Sequence, residues 1–183
     1  MEDLLFFEDL CVGNRWTSGT RQITEADVAQ FADLTGDYDP LHVDEEFAKE
    51  TPFRRQIAHG LLGLSFVAGL SSECPNVETV AFLGVENWQF RKPIFFDDTL
   101  HVVTEVKSLE KNGRRRGHVT WHRQLVNQAG EVVQEGTLLS LVACKAASLH
   151  LRIVKDSQVE AGRDAAKSST LQDASKLEEA SRL

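Results

Sequence analysis

Apolar residues along this chain follow two rhythms. Downstream of Pro75 they recur at every second position. Val102, Thr104 and Val106 share one side of a run whose other side carries His101, Val103 and Glu105, and Val119, Trp121 and Leu125 stand opposite His118, Thr120 and His122. A period of two sends successive side chains to opposite faces of a sheet, so these runs read as antiparallel strands with at least one covered face. Strands are expected at about 79–90, 99–109, 115–127 and 131–144, bounded by Lys92-Pro93, Asn112-Gly113 and Ala129-Gly130. Asn-Gly is the strongest of these turn signals, because both residues accept the positive φ of a tight hairpin.

Upstream the spacing is helical. Thr24 fits an N-cap whose hydroxyl accepts from the Asp27 N–H, Val28, Phe31, Ala32 and Leu34 give the apolar face that follows, and Gly36 supplies the stop. Gly36 to Pro40 reads as a loop, and Asp44 can cap a short helix running to about Lys49 before Thr51-Pro52 breaks it. The longest helical candidate spans residues 57–73, where Leu61, Leu62, Leu64, Phe66, Val67 and Leu70 leave no polar face. A helix apolar all round is a buried one. Gly60, Gly63 and Gly69 within it each cost roughly 1 kcal/mol relative to Ala, so they need a packing or functional reason. Trp16 to Ile23 reads as extended. The whole is an α+β pattern, an antiparallel sheet wrapped around one long buried helix. It forms a single domain over 1–153, followed by a polar tail over 154–183 without aromatic residues, expected to be disordered or weakly helical.

Composition narrows the partners. The 183 residues suit one domain, and a net charge of −8 argues against nucleic acid, although a local Arg/Lys cluster can still hold one anion. Cys11, Cys74 and Cys144 form no CxxC pair, so neither a zinc site nor a disulfide framework is expected and the thiols read as reduced. The start Met-Glu-Asp lacks the basic residues of a secretion signal, and the apolar run Leu61 to Leu70 is too short to cross a bilayer. A cytoplasmic protein without membrane contact is expected.

The chemistry concentrates in Gly36-Asp37-Tyr38-Asp39-Pro40-Leu41-His42-Val43-Asp44 and in Ile57-Ala58-His59-Gly60. Asp37 and His42 share one loop stiffened by Pro40, so a carboxylate and an imidazole can address one water and divide proton removal from proton delivery. Gly60 opens the long helix. Its backbone N–H is among the helix's unpaired donors, at the positive end of the dipole, and a glycine lets a carbonyl approach it as in an oxyanion hole.

The run Gly-Asp-x-Asp-Pro-Leu-His-x-Asp followed by His-Gly is similar to the hydratase signature of MaoC-like proteins, and Arg91-Lys92-Pro93-Ile94 with Asp98-Thr99-Leu100 resembles that family's later strand-turn-strand block. The resemblance covers about residues 5–145. It implies a single hot-dog domain, a homodimer, and (R)-specific hydration of an enoyl thioester, or the reverse dehydration, on coenzyme A or acyl carrier protein. It implies Asp37 and His42 as the catalytic pair and Gly60 as the oxyanion donor. Neither a metal nor a cofactor is expected, since the remaining histidines have no acidic or Cys partner at ligand spacing. Two positions depart from the pattern: Asp39 stands where Asn is frequent, and Asp97 where Gly is frequent. A carboxylate at Asp39 is expected to perturb Asp37.

Taken singly, these residues have plainer readings. Asp37 alone suits an Asx-turn, and His42 alone a packed histidine. His59 orients the loop or caps the helix. Ser65 lines the substrate pocket or fills the core. Arg91, Lys92 and Arg114 bind substrate phosphate or sit in solvated turns. His101, His118, His122 and His150 read as surface positions. Two other functions compete, a hot-dog thioesterase and a non-catalytic acyl-binding subunit. The first would place a carboxylate on the buried helix, and none occurs between Gly60 and Glu73; the second would lack the Asp and His that are present.

Overall fold

A computed structural model describes residues 3–145. The expected boundary at residue 153, the tail over 154–183 and His150 lie outside the described residues.

The alternating runs form the strands β3 (Thr79–Phe90), β4 (Thr99–Asn112), β5 (Arg116–Val126) and β6 (Val132–Ala143), joined by the short β1 (Arg15–Thr17) and β2 (Arg21–Gln22). All pair antiparallel in the order β1-β4-β5-β6-β3, with β2 also on β4. Gly113 and Gly130 turn the hairpins at φ 75° each, the left-handed region a side chain resists. Asp97, at φ 69°, takes the same region where glycine was the expected occupant. Its neighbour Asp98 braces that turn by accepting from the Phe95 N–H at 2.8 Å and from Gln128 at 2.7 Å.

The helical stretch gives α1 (Glu25–Thr35), α2 (Pro40–Val43), α3 (Glu45–Glu50) and α4 (Gly60–Leu70). α1 begins with the expected cap: Thr24 accepts from the Asp27 N–H at 3.1 Å, and Asp27 accepts from the Thr24 N–H at 2.9 Å. α2 falls where a loop was expected. Asp39 caps it and Pro40, at its first position, has no N–H to leave unpaired.

α4 lies across the sheet, burying Leu62, Gly63 and Val67 against an apolar cluster that includes Val102, Leu125 and Ile94. It is shorter than the expected 57–73 because residues 57 and 58 are committed to the sheet side: Ile57 bridges Phe95, and the Ala58 N–H donates to the Ile94 carbonyl at 2.8 Å. Its outer row is open as well. Leu61, Ser65, Ala68 and Gly69 are exposed, so within one chain α4 is covered on one side and not all round. A second apolar cluster, with Leu10, Val106, Val119, Trp121 and Leu138, fills the far end of the same sheet face.

Candidate active site

The site forms where two segments meet. Gly36 ends α1 in the left-handed conformation, φ 76°, and turns the chain into the exposed loop that carries Asp37. One turn later α2 presents His42. Its Nδ1 lies 2.8 Å from the Ile57 carbonyl, and because a carbonyl only accepts, the neutral ring carries its proton on Nδ1 and leaves Nε2 bare as an acceptor.

His59, immediately before α4, is 2 % exposed. Its Nε2 donates to the main-chain carbonyl of Asp37 at 2.9 Å, while its Nδ1 is buried without a partner among the described residues. The His42 and His59 rings stack at 3.9 Å between centroids, and Phe31 covers His59 from behind at 5.0 Å. His59 therefore anchors the loop to the helix start, one of the two roles read from the sequence. The side chains of Asp37, His42 and His59 have polar atoms within 4.8 Å of one another, a spacing that can serve one water and that could also hold a divalent cation.

A cleft of about 290 Å³ opens beside this group, lined by His42, Phe53, Ile57, Ala58, Gly60, Phe90, Arg91, Lys92, Pro93, Ile94 and Gln134. Gly60 begins α4 at its wall. A Cβ there would lie 2.9 Å from the Phe90 ring, so glycine lets the helix start and the ring share the space. The cap residue His59 gives no side-chain bond to α4, which leaves the first N–H groups available at the positive end of the dipole. Gln134, 1 % exposed, donates to the Gly60 carbonyl at 3.0 Å and accepts from the Trp88 indole at 3.2 Å, locking the helix start to β6.

The remaining expected residues divide. Arg91 and Lys92 line the cleft, but each already holds an acid: Arg91 meets Glu135 at 2.9 Å and Lys92 meets Glu131 at 2.5 Å. Gln124 and Arg91 hold the Glu135 carboxyl below its ordinary range, and Lys92 does the same for Glu131. Ser65 does not line the cleft and is not core. It is exposed, and its hydroxyl donates back to the Leu61 carbonyl at 2.9 Å. Arg114 stands in the β4–β5 turn, beside the Arg116–Ala143 pair, whereas the cleft lies at the Gln134 end of β6. Nine residues of strand, on the order of 30 Å, separate the two ends, so Arg114 is not part of this cleft. Gln134 was missed. Its signal was a lone amide on a strand face otherwise made of Val132, Gly136, Leu138, Ser140 and Val142. Arg55, whose guanidinium lies 3.7 Å over the Phe95 ring, is not among the residues lining the cleft.

Residues 13–129 match the MaoC like domain family. The chain is 37 % identical over 113 residues to a 3-hydroxybutyryl-CoA dehydratase of Methylorubrum extorquens, covering 61 % of this chain and 70 % of that one. It is 31 % identical over 147 residues to an (R)-specific enoyl-CoA hydratase of Rhodospirillum rubrum, covering 79 % and 97 %. Among solved structures, a Mycobacterium tuberculosis protein described as a double hotdog fold superposes with a TM-score of 0.68 at 19 % identity, over 77 % of this chain and 44 % of that one. That identity speaks to the fold alone, and the fold is the hot-dog fold expected from the sequence.

Proposed function

The chain belongs to the MaoC-like domain family, and from that premise we propose that it is a hydro-lyase that hydrates a trans-2-enoyl thioester to the (R)-3-hydroxyacyl thioester, or runs the reverse dehydration. The observation that carries this reading is the bare Nε2 of His42, fixed by the Ile57 carbonyl beside the Asp37 carboxylate at the mouth of a cleft walled by the start of α4. Two groups at one water can split a proton transfer. His42 Nε2 accepts a proton as the water oxygen bonds the β-carbon, and the Asp37–His42 pair returns a proton to the α-carbon. The Gly60 N–H faces the thioester oxygen, where enolate charge develops. In the dehydration direction the same groups act in reverse.

Arg91 and Lys92 stand on the cleft wall, each held by an acid that the phosphates of coenzyme A or of an acyl carrier protein would have to displace. No cofactor enters this scheme. A thioesterase would need a carboxylate on α4, and residues 60–70 contain none.

A homodimer belongs to the same proposal. β3 is an edge strand with Val80, Phe82, Leu83 and Val85 exposed, and Leu61 of α4 and Phe90 are exposed too. An apolar edge of this kind marks an interface, and a second copy pairing the same edge would cover it. The thiols of Cys11 and Cys144 suit a reducing, cytoplasmic setting, and no described helix is long and apolar enough to cross a membrane.

The test is a panel of trans-2-enoyl-CoA thioesters followed by loss of the enoyl absorbance. Saturable hydration is expected, undiminished after dialysis against a chelator; release of free thiol without hydration would transfer the assignment to a thioesterase. Sedimentation at micromolar concentration should give a dimer, and a monomer would remove that part.

A further inference from the structure

Beyond the cleft wall lies a cation that no described carboxylate neutralises. Arg123 on β5 shares its strand face with Val119, Trp121 and Leu125, all buried, and its guanidinium carbon lies 5.8 Å from the Trp121 ring centre. Its Nε is sealed from solvent with no hydrogen-bond partner among the described residues. The residue paired with it on β4 is Thr104, 0 % exposed, whose hydroxyl oxygen is also unpartnered. No described carboxylate comes within ion-pair distance of Arg123, and burial alone pulls its guanidinium down to about 10. The two orphans sit between the apolar cluster under α4 and the one at the far end of the sheet, with Val102 on one side and Val106 and Trp121 on the other.

Arg123 is half-buried, and an unneutralised charge whose Nε is sealed from water is a cost to the fold. Two adjacent donors left unpaired in one place call for an acceptor brought from outside. The best match is a carboxylate, whose two oxygens fit the guanidinium fork while the threonine hydroxyl supplies a third bond.

The position connects this pair to the cleft. On β6 the residue opposite Arg123 is Gly136, and the one opposite Leu125 is Gln134, so Arg123 and Gln134 are diagonal neighbours, roughly 7–8 Å apart. Gln134 is cleft wall. Gly136 puts no side chain in the way; the Trp88 ring lies over it, and Trp88 is hydrogen-bonded to Gln134. Two side chains, Gln134 and Trp88, are therefore the partition between the proposed acyl site and Arg123.

We propose that Arg123 and Thr104 form an anion subsite at the inner end of the acyl pocket, which receives the distal carboxylate of a short dicarboxylic enoyl thioester. This rests on the hydratase reading above and names its substrate class. The reaction is unchanged: the carboxylate is held and takes no part in bond making.

The test compares two trans-2-enoyl-CoA thioesters of equal chain length, five or six carbons, one ending in a methyl group and one in a carboxylate, on the full chain. The carboxylate substrate should have the higher kcat/KM, by on the order of 10²-fold, the scale of one buried charge-paired contact. Arg123→Met should bring that ratio close to one, and Thr104→Val should lower it several-fold. Arg123→Lys, which keeps the charge without the fork, should fall between and serves if the methionine variant does not fold. Equal rates on the two substrates, or a ratio that survives Arg123→Met, would overturn the proposal. A second arm measures melting temperature with free succinate. A gain lost in Arg123→Met, without any preference between the thioesters, identifies a site for free anions and overturns the acyl assignment. If neither thioester is hydrated, the hydratase reading falls by itself, and a succinate-dependent gain lost in Arg123→Met still supports the anion subsite, while no gain removes it.

Discussion

The loop from Gly36 to Asp44 and the start of α4 face each other across the site and are built in opposite ways. The loop is largely exposed, with Leu41 and His42 half-buried, and short polar contacts order it: Asp39 accepts from the Leu41 N–H at 2.9 Å, and Asp44 accepts from the Phe47 N–H at 3.0 Å. The helix start has no side-chain cap and is packed on its inner side, where Gly63 lies against Gln134 and Ile94 and Gln134 bonds to Gly60. The difference teaches where tolerance lies. Side chains on a solvated loop can be exchanged at little cost to the fold, which frees that segment to carry reactive groups. The opposite wall has to hold backbone N–H groups in place, and only close packing does that.

The strongest way to test this contrast is to remove the reactive groups. Asp37→Asn and His42→Ala should each lower kcat by about 10²–10⁴; the melting temperature should stay near the parent's for the exposed Asp37 and fall modestly for His42→Ala, which removes a half-buried ring bonded to the Ile57 carbonyl and packed on His59. The double variant should be little worse than the worse single one, since groups serving one water act as a unit. Turnover at the parental rate in either variant would mean that the loop carries no chemistry.

Gly63→Ala addresses the other wall. The added Cβ would collide with the Gln134 amide and the Ile94 side chain, and overpacking of this kind costs about 1–3 kcal/mol. Urea midpoint and activity should fall together. A stable variant with parental activity would show that the helix start has slack.

The cap at the N-terminus of α1, the end away from the loop, gives a smaller, pH-dependent signal. Burial pushes the Asp27 carboxyl up, but hydrogen bonds from Thr24 and the pairing with Arg21 outweigh it, and the net shift is downward. A depressed carboxyl stabilises the fold above its unfolded value, near 3.9, and that contribution is lost as pH falls through the folded one. Asp27→Asn should therefore flatten the acid limb of melting temperature against pH and lower stability at neutral pH; parallel acid limbs would contradict the pairing.

The smallest effect is expected at Asp39. Its carboxylate is occupied as the α2 cap, a task asparagine performs equally well. Asp39→Asn should change stability by less than about 0.5 kcal/mol and leave the pH–rate profile in place, whereas Asp39→Ala should cost about 1 kcal/mol. A displaced profile in the asparagine variant would restore the electrostatic role read from the sequence.

Much of this is legible in the sequence. The strands announced themselves through alternation and through Asn112-Gly113 and Ala129-Gly130, and α1 through Thr24 and Gly36 at its ends. Asp37, His42 and Gly60 stood out as candidates because their motif is local in sequence. What escaped depends on distant contacts. The α4 boundary is set by Ile57 and Ala58 pairing with residues 94 and 95, and Ser65 faces outward because α4 packs through Leu62, Gly63 and Val67. Arg114 could be excluded only once the register of β6 showed which end of the sheet it occupies. α2 was hidden because four residues carry no period, though its Asp-Pro start was a usable sign.

The hydrogen bond from Gln134 to Gly60 joins residues 74 positions apart. That separation has a consequence in time. During synthesis the loop, α4 and three of the four long strands leave the ribosome before β6 exists, so nothing yet fixes the helix start. Long-range closures of this kind come late, because the intervening chain must lose its freedom first. A nascent chain stopped before residue 134 would carry Asp37, His42 and Gly60 and remain silent. Competence arrives with nearly the last strand made, which keeps half-built copies from engaging substrate.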